Sequence, residues 1–304
     1  MIELSVIVPI YNAELYIEEC LLSLIKILDE HTEILLIDDG STDSSYSICK
    51  KYLRHNIKVF KNCNHGVSYT RNFGLSKARG KYVCFIDSDD FLNYDFADEI
   101  KKILDFDYDL ISFGYNVFDK RKTIGCYGEL ISNEISHNIF FNNAFNGYVW
   151  NKIFKLDIIK KNNIKFNTDI TYCEDLLFLV DYSKYVDKIK NINKSLYNYR
   201  IRKSSTSGNF YNKNNNSLIL AYEYLLNRYT TDNIVRKRIE YLYLISLRKF
   251  KVKNADIYKR ENEILKQCSF SEKIKYFILK YFFSVYLILR KIKGLQQYEW
   301  WIGD

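Results

Sequence analysis

The stretch "VCFIDSDDFL" (residues 83–92) joins an apolar run to a group of carboxylates. Residues 83–86 are typical of a buried strand, and Asp87, Asp89 and Asp90 follow directly. Like charges this close repel one another and raise one another's pKa. The stretch therefore points to a bound cation. A solvated loop in which Asp89 or Asp90 caps the next helix is the alternative that these residues alone leave open.

The chain before this stretch alternates between two patterns. β-branched apolar runs predict strands, and runs with apolar residues at helical spacing predict helices. The predicted strands cover residues 4–10, 33–39, 57–62 and 81–90, and the predicted helices cover 13–28, 41–55 and 66–80. This alternation predicts a doubly wound, mostly parallel α/β sheet with helices on both faces. Ligands bind beyond the carboxyl ends of such strands, so loops 11–12, 38–43, 62–66 and 87–90 are expected in one crevice.

The pattern changes after Asp90. Residues 109–119, 122–129 and 195–203 are typical of strands in a mixed part of the sheet, whereas residues 151–164 and 174–186 have helical patterns. A polar loop is expected over residues 204–216, with only helices after it. We therefore expect an α/β domain over 1–215, in two parts (1–92 and 93–215), followed by a helical extension over 216–304.

Composition narrows the class of protein. The net charge of +8 permits an anionic partner, but no nucleic-acid motif accompanies it, so we expect no nucleic acid. The seven cysteines form no C-x-x-C pair, which argues against a zinc site or a disulfide scaffold and favours a reducing compartment. The amino terminus has no signal-peptide pattern, and no stretch is apolar for long enough to span a membrane. A cytoplasmic location is expected.

Four motifs follow one another at regular spacing: "SVIVPIYN", "IDDGSTD", "NHGVSYTRNFG" and "FIDSDD". Together they resemble the family 2 glycosyltransferases, which have the GT-A nucleotide-sugar fold. The resemblance is dense over residues 3–92. It continues more sparsely through "VWNKIFKLDIIKKNNIKF", "CEDLLF" and "YNYRIRKSSTS", segments similar to those of bacterial enzymes that build capsule, O-antigen and lipopolysaccharide.

The resemblance implies that 1–215 is a catalytic domain, with 1–92 as its nucleotide-sugar-binding half and 93–215 as its acceptor half. It implies a donor site for a nucleotide sugar, with uridine as the usual nucleoside. It implies a divalent metal, Mn²⁺ or Mg²⁺, bound by Asp89 with Asp87 or Asp90 in support, and the three residues stay open as ligands. Carboxylate oxygens suit either ion. The residues expected to bind the nucleotide sugar are Pro9, Tyr11, Asn12, Asp38, Asp39, Asn64, Gly66, Arg71, Asp87, Ser88 and Asp89.

The "CEDLLF" segment resembles the family element whose Asp is the catalytic base. This implies Asp175 as the base, with Glu174 beside it. Inverting transfer needs a carboxylate that takes the proton of the acceptor hydroxyl. Both residues also suit a helix amino terminus, whose dipole favours ionised carboxylates. Contacts to the diphosphate or the acceptor are expected from Trp150, Lys152, Arg200 and Arg202, with plain surface roles as the alternative.

Residues 272–293 combine an apolar, aromatic core with flanking lysine and arginine. The run is short for a membrane span, and interfacial aromatics fit a helix lying in the membrane surface. A buried helix is the alternative. The membrane interpretation suits a lipid-linked saccharide acceptor and a peripheral position on the inner face of the cytoplasmic membrane.

The leading hypothesis is an inverting, metal-dependent glycosyltransferase that moves a sugar from a UDP donor to a saccharide acceptor, such as a lipid-linked one, in bacterial surface polysaccharide synthesis. Two alternatives stay open: a catalytically degenerate homologue that binds nucleotide sugars, and a nucleotidyltransferase. The latter normally carries a glycine-rich loop near its amino terminus, which "VIVPIYNAELY" lacks.

Overall fold

The computed structural model places the sheet and helices of the chain. It describes residues 2–27, 29–119, 122–126, 128–130, 134–142, 145–201, 217–228, 232–249 and 254–281. These fall into two compact units, one ending at Ile201 and one beginning at Arg202. The predicted domain boundary at 215/216 and the predicted polar loop fall in residues 202–216, which lie outside the described ranges.

The first unit contains one mixed sheet. Its strands are β1 (Leu4–Ile10), β2 (Thr32–Asp38), β3 (Ile57–Lys61), β4 (Tyr82–Phe85), β5 (Phe91–Leu92), β6 (Leu110–Asp119), β7 (Lys122–Cys126), β8 (Lys152–Lys155) and β9 (Ile189–Arg200). In the described residues the strand order is β3-β2-β1-β4-β8-β6-β9-β5, with β7 paired to β6. Strands β1 to β4 are mutually parallel, and β8 joins β4 to β6 in antiparallel pairs.

The helices of this unit lie between the strands along the chain. They are α1 (Ile17–Ile27), α2 (Ser45–Lys50), α3 (Val67–Lys77), α4 (Phe96–Leu104), α5 (Ile135–Phe141), α6 (Leu156–Lys161) and α7 (Glu174–Ser183). The doubly wound α/β prediction is confirmed. The strands and helices predicted before residue 90 all exist, although α1, α2 and α3 are shorter than their patterns.

Helices cover both faces of the sheet because side chains alternate along β1. Val6 and Val8 share a core with Leu21 of α1. Ile7 faces the opposite way, toward α3. A Cβ on Gly74 of α3 would lie 2.5 Å from the Ile7 side chain, so only glycine lets the helix approach this closely.

The prediction of one helix over residues 151–164 is wrong for its first part. Residues Lys152–Lys155 form β8, and the helix α6 begins only at Leu156. Ile153 pairs with Cys84 of β4 on one side and with Ile111 of β6 on the other. Pairing on both sides in the centre of the sheet therefore outweighs a helical pattern that is only a few residues long.

The second unit is helical in its described residues, as predicted. It comprises α8 (Ser217–Arg228), α9 (Asn233–Lys249), α10 (Ala255–Lys259), α11 (Glu261–Lys266) and α12 (Phe270–Tyr281). Helix α9 packs against α8, α11 and α12. Arg248 of α9 joins the helices through an ion pair with Glu261 (2.5 Å) and a hydrogen bond to the Tyr276 hydroxyl (2.8 Å). No helix within the described residues is both long and apolar enough to cross a bilayer.

Helix α12 carries an exposed apolar stripe. Phe270, Ile274, Phe277 and Tyr281 follow the spacing of one helix face, and each is at least 44% exposed. Tyr276 on the other face is buried. The segment predicted to lie on a membrane, 272–293, is thus described only up to Tyr281, and its remainder lies outside the described ranges.

A buried carboxylate closes the edge of the sheet at which β1 and β2 begin. The Glu33 carboxylate accepts hydrogen bonds from the Ser5 hydroxyl (2.7 Å), the Arg79 backbone N–H (2.7 Å) and the Arg79 guanidinium (2.8 and 3.0 Å). Burial raises the pKa of Glu33, but the hydrogen bonds from Ser5 and Arg79 outweigh it and lower that pKa overall.

We expect Glu33→Gln to lower the free energy of unfolding by about 1–3 kcal/mol at pH 7, because the buried Ser5 hydroxyl and the Arg79 donors lose a charged acceptor. The folded pKa is depressed, so this stabilisation is present above the unfolded value of about 4.3 and fades as pH falls below it. Urea unfolding at pH 7 and pH 4 measures the difference. Glu3→Gln, at an exposed position, is the control. Equal destabilisation at both pH values would contradict an ionic role.

Candidate active site

The loops that follow β1 and β2 are fastened to each other. Asn12 adopts a left-handed backbone conformation (φ 48°). Its N–H donates to the Ser41 hydroxyl (3.0 Å), and its side-chain oxygen accepts from the Thr42 N–H (2.9 Å). Asn12 therefore shapes the crevice by holding the "PIYN" loop against the "GSTD" loop.

Asp39 was expected to bind the nucleotide, but both its carboxylate oxygens are occupied within the chain. One accepts the His65 N–H (2.9 Å) and the other accepts the Gly66 N–H (2.7 Å). Asp39 thus fixes the loop that follows β3. Gly40 beside it has φ 77°, and a Cβ there would lie 2.9 Å from the Asn64 nitrogen. The two loops can touch only because residue 40 lacks a side chain.

Asp38 ends β2 as a fully buried side chain. Its Oδ2 accepts the Ser41 N–H (3.2 Å), whereas no group in the described part of the chain bonds its buried Oδ1. The buried side-chain nitrogen of Asn62 likewise finds no acceptor there. The two residues are adjacent, since the Asn62 N–H donates to the Asp38 carbonyl (2.7 Å). Buried polar atoms without partners are rare, so this acceptor and this donor are each candidates to bond a polar ligand or water.

The sequence did not single out Asn62, because an asparagine at a strand end is commonly a turn residue. The other expected donor-site residues lie at the same edge. Tyr11 is half exposed, and its hydroxyl accepts a hydrogen bond from the Asn64 side chain (3.2 Å). Pro9 is buried inside β1, one residue before the strand end.

The carboxylates of the opening stretch separate into different environments. Asp87 is 27% exposed and pairs with Arg71 (3.1 Å). Asp90 is buried, and its oxygens accept hydrogen bonds from the Tyr197 hydroxyl (2.7 Å) and the Arg200 N–H (2.7 Å). Burial and the neighbouring Asp89 and Asp87 raise the pKa of Asp90 well above its usual range. Asp90 therefore holds β9 in place. Because both of its oxygens accept hydrogen bonds from that strand, Asp90 is not favoured as a metal ligand.

Ser88 is buried and Asp89 is half-buried on the same turn. The Asp89 carbonyl accepts a hydrogen bond from Arg200 Nε (2.9 Å). Arg200 also pairs with Glu19 (2.6 Å), and the ring of Phe118 lies 5.1 Å from its guanidinium. These contacts make Arg200 a support for the acidic turn, and its expected contact with the diphosphate stays a prediction. Arg202 lies outside the described residues.

Arg71 connects motifs that are about a hundred residues apart in the chain. It lies in the middle of α3 and is only 4% exposed. Its Nη2 pairs with Asp87, and its Nη1 pairs with Glu174 (3.1 Å) and Asp175 (2.7 Å) at the start of α7. Burial works against the charge of Arg71, but Asp175, Asp87 and Glu174 raise its pKa above the usual range. One guanidinium therefore holds the acidic turn and the α7 terminus together.

Three carboxylates around one guanidinium leave negative charge in excess. Burial and Asp175 raise the pKa of Glu174 to about 7, although Arg71 opposes them. Burial also raises the pKa of Asp175, with Asp87 adding to it and Arg71 opposing it. The helix dipole was expected to keep both ionised, but burial and mutual repulsion outweigh it. A carboxylate with a raised pKa is suited to accepting a proton near neutral pH.

Trp150 and Lys152 are both buried, so neither presents a surface to a ligand in this structure. Trp150 stacks between Tyr148 (4.8 Å between ring centroids) and Tyr197 (4.7 Å). The Tyr197 hydroxyl in turn bonds Asp90 and accepts the Asp87 N–H (3.2 Å). Trp150 thus stiffens the acidic turn from behind.

The comparison with protein families matches residues 5–161 to "Glycosyl transferase family 2". Among curated proteins, Glycosyltransferase GlyA of Streptococcus pneumoniae is 32% identical over 224 residues, which are 67% of this chain and 31% of that protein. Glycosyltransferase GlyG of the same organism is 31% identical and is matched over 66% of this chain and 72% of its own length. The chain therefore spans about a third of GlyA but most of GlyG.

Solved structures share the fold. S. aureus TarS (residues 1–349, in complex with UDP-GlcNAc) superposes with a TM-score of 0.62 at 24% identity, over 91% of this chain and 79% of that one. A mannosyltransferase from Pyrobaculum calidifontis, in complex with GDP-Man and Mn²⁺, has a TM-score of 0.57 at 14% identity, over 96% of this chain and 87% of that one. The GT-A fold expected from the motifs is confirmed.

We expect Glu174→Gln to stabilise the protein at pH 8 by about 2 kcal/mol and to have little effect at pH 4. The folded pKa of Glu174, about 7, lies above its unfolded value, so wild-type stability falls as pH rises between the two. Glutamine at position 174 is uncharged, so the variant does not lose this stability as pH rises. Its side-chain oxygen can still accept a hydrogen bond from Arg71. Thermal unfolding at both pH values measures the effect, with Glu30→Gln at an exposed position as the control. No gain at pH 8 would show that Glu174 is not strained by its charge.

Proposed function

The chain belongs to glycosyl transferase family 2, and on that premise we propose that it transfers a sugar from a nucleotide donor, UDP-linked, to a saccharide acceptor with inversion at the anomeric carbon. The observation that carries the proposal is the Arg71 cluster. It brings Asp175, a carboxylate that is only 14% exposed and has a raised pKa, to the acidic turn that follows β4. A general base and a donor-phosphate loop are the two parts that this reaction needs side by side.

Asp38 and Asn62 support the nucleotide assignment. Uracil presents an N3–H donor beside the O4 acceptor, which complements the unpartnered Asp38 oxygen and Asn62 nitrogen. Guanine presents the same pair of groups on its O6 and N1–H, whereas cytosine presents an unprotonated ring nitrogen. The complex of TarS with UDP-GlcNAc favours uracil.

The step is a single displacement. The acceptor oxygen bonds to the anomeric carbon as its proton passes to Asp175, and the bond from that carbon to the diphosphate breaks with its electron pair on the diphosphate. A divalent cation, Mn²⁺ or Mg²⁺, neutralises the charge on that leaving group when bound. Asp89 is our proposed ligand, because a carboxylate donor suits either ion and Asp90 is committed to Tyr197 and Arg200.

The proposed setting is bacterial surface polysaccharide synthesis. The minor teichoic acid biosynthesis protein GgaB of Bacillus subtilis supports it, at 41% identity over 34% of this chain and 13% of that protein. The acceptor that we propose is a lipid-linked saccharide, which requires the enzyme to work at the inner face of the cytoplasmic membrane.

We expect Asp175→Asn to lower kcat by about 10²- to 10⁴-fold, because the acceptor proton loses its base. UDP affinity should stay within about twofold of the wild-type value. The variant removes a group that acts in the transition state and leaves the contacts that bind UDP unchanged. Asp89→Ala is the complementary variant, and it should lose the Mn²⁺-dependent part of UDP binding. Calorimetric titration with UDP, GDP and CDP, with Mn²⁺ and with chelator, is combined with transfer assays.

Four outcomes would overturn parts of this proposal. Loss of UDP binding in Asp175→Asn would contradict the division of roles. UDP binding that ignores chelator would remove the metal from the site. Nucleotide binding without transfer to any saccharide would favour a degenerate homologue, and pyrophosphate release from nucleoside triphosphates would favour a nucleotidyltransferase.

The exposed stripe of α12 supports the membrane part of the proposal. Phe270, Ile274, Phe277 and Tyr281 present an apolar face, and Lys273 is exposed beside it. Further basic residues, Arg290, Lys291 and Lys293, follow in the sequence. Apolar side chains with adjacent positive charge fit an anionic lipid surface.

We expect the protein to cosediment with vesicles that contain anionic phosphatidylglycerol and to bind neutral phosphatidylcholine vesicles less, because the basic residues lose their partner. The pair Phe270→Ser and Phe277→Ser should reduce binding to anionic vesicles about tenfold or more, since two exposed aromatic rings that would enter the lipid surface are lost. Leu220→Ser, on the exposed face of α8, is the control. Unchanged vesicle binding together with a lost dimer in sedimentation analysis would assign the stripe to a second copy of the chain.

A further inference from the structure

Lys152 has an unusual environment for a lysine. It begins β8, and its side chain is fully buried. The ammonium lies within hydrogen-bond distance of four oxygens: the carbonyls of Phe145 (2.6 Å), Asn146 (3.1 Å) and Tyr148 (2.8 Å), and the Asn151 side chain (2.8 Å). None of these acceptors carries a charge. A buried cation among neutral acceptors is costly unless an anion faces it.

The oxygens around Lys152 belong to the segment 145–151, which curls over the ammonium. The ring of Phe145 adds a cation–π contact, with its centroid 4.2 Å from Nζ. The shape of this segment therefore depends on one buried positive charge. If the ammonium is removed, several carbonyls at the centre of the loop lose their donor.

The same segment contacts the proposed base. Val149 donates its N–H to Oδ2 of Asp175 (3.5 Å), while Arg71 pairs with Oδ1 on the other side (2.7 Å). Asp175 is also the carboxylate whose charge favours the ammonium of Lys152 against the effect of burial, which lowers the pKa of that lysine. Segment 145–151 and the charge of Lys152 therefore both act on the carboxylate of Asp175.

We propose that Lys152 is a positioning residue for the transfer step, which shapes segment 145–151 so that Val149 holds Asp175 and places a buried positive charge opposite that carboxylate. This inference rests on the proposed role of Asp175 as the base. It replaces the expectation that Lys152 contacts the diphosphate or the acceptor directly.

Four charged groups face Asp175 from the elements packed around it. Arg71 of α3 and Lys152 of β8 are positive, whereas Asp87 of the acidic turn and Glu174 of α7 are negative. When Lys152 becomes neutral, only Arg71 and the Val149 N–H, among the described groups around Asp175, still oppose burial and the two carboxylates. The pKa of Asp175 then rises further, and the acidic limb of the rate profile moves to higher pH.

The test compares Lys152→Met with Lys155→Met. Both remove one lysine charge from β8, but Lys155 pairs with Asp107 (2.9 Å), away from the base. The titration of Asp175 is followed by ¹³C NMR of labelled aspartate carboxyls, with Asp175→Asn supplying the assignment. UDP affinity and kcat are measured across the same pH range.

For Lys152→Met we expect a higher pKa of Asp175 and kcat lower by about 10- to 100-fold, as for a misplaced catalytic group. UDP affinity and the KM for the donor should stay unchanged. Lys155→Met should leave all of these quantities as in the wild type. An Asp175 titration that is identical in Lys152→Met and the wild type would overturn the proposal, whatever happens to the rate.

If Lys152→Met does not fold, Lys152→Gln replaces it, because an amide can still donate to two of the carbonyls without carrying charge. The NMR titration of Asp175 in Lys152→Gln then decides whether the proposal holds. The NMR titration needs no transfer activity. It therefore tests the role of Lys152 separately from the proposal that Asp175 is the base. A shifted pKa in an enzyme whose transfer survives Asp175→Asn would uphold the contact and refute the role of Asp175 as base.

Discussion

The arrangement of the site depends on the three ion pairs of Arg71. Two of its partners, Glu174 and Asp175, are the first residues of α7, and the third, Asp87, lies on the acidic turn that follows β4. A buried guanidinium can bond several carboxylates at once because its donors are fixed in a fork. The stacked ring of Phe166 below it, 5.3 Å away, leaves it little freedom to move. Segments distant in sequence are therefore held in one cluster by a single side chain.

The sheet supplies the platform for that cluster. Strand β4 ends at the acidic turn, and its antiparallel neighbour β8 begins with Lys152 at the same edge. The parallel and antiparallel parts of the sheet thus meet where the chemistry is proposed. Buried aromatics fill the space behind it, with Trp150 between two tyrosines and Phe178 stacked on Phe166 (4.1 Å). Rigid packing of this kind preserves side-chain positions in the site.

The sequence predicted the fold class and the crevice because both follow from local patterns. Buried parallel strands are continuous apolar runs, and their ends are marked by Asp38 and Asp87. It did not predict which atoms of a motif face a ligand. Asp38 and Asp39 are adjacent and have the same side chain. Both oxygens of Asp39 accept hydrogen bonds from loop N–H groups, whereas one oxygen of Asp38 has no partner among the described residues. Likewise the inward direction of Lys152, and the commitment of Arg200 to the acidic turn, depend on long-range packing that no local pattern encodes.

The edge of the sheet closed by Ser5, Glu33 and Arg79 lies at the opposite ends of the strands from the site. Anchoring and recognition are therefore carried by different residues of the same strands. Substitutions among the loops after Ile10, Asp38 and Lys61 leave the anchor untouched. Loop positions other than those that fasten the loops, such as Asn12, Asp39 and Gly40, can therefore vary without disturbing the anchor. Because the anchor and the site lie at opposite ends of the same strands, the loops at the site end are where specificity can change in evolution or in design.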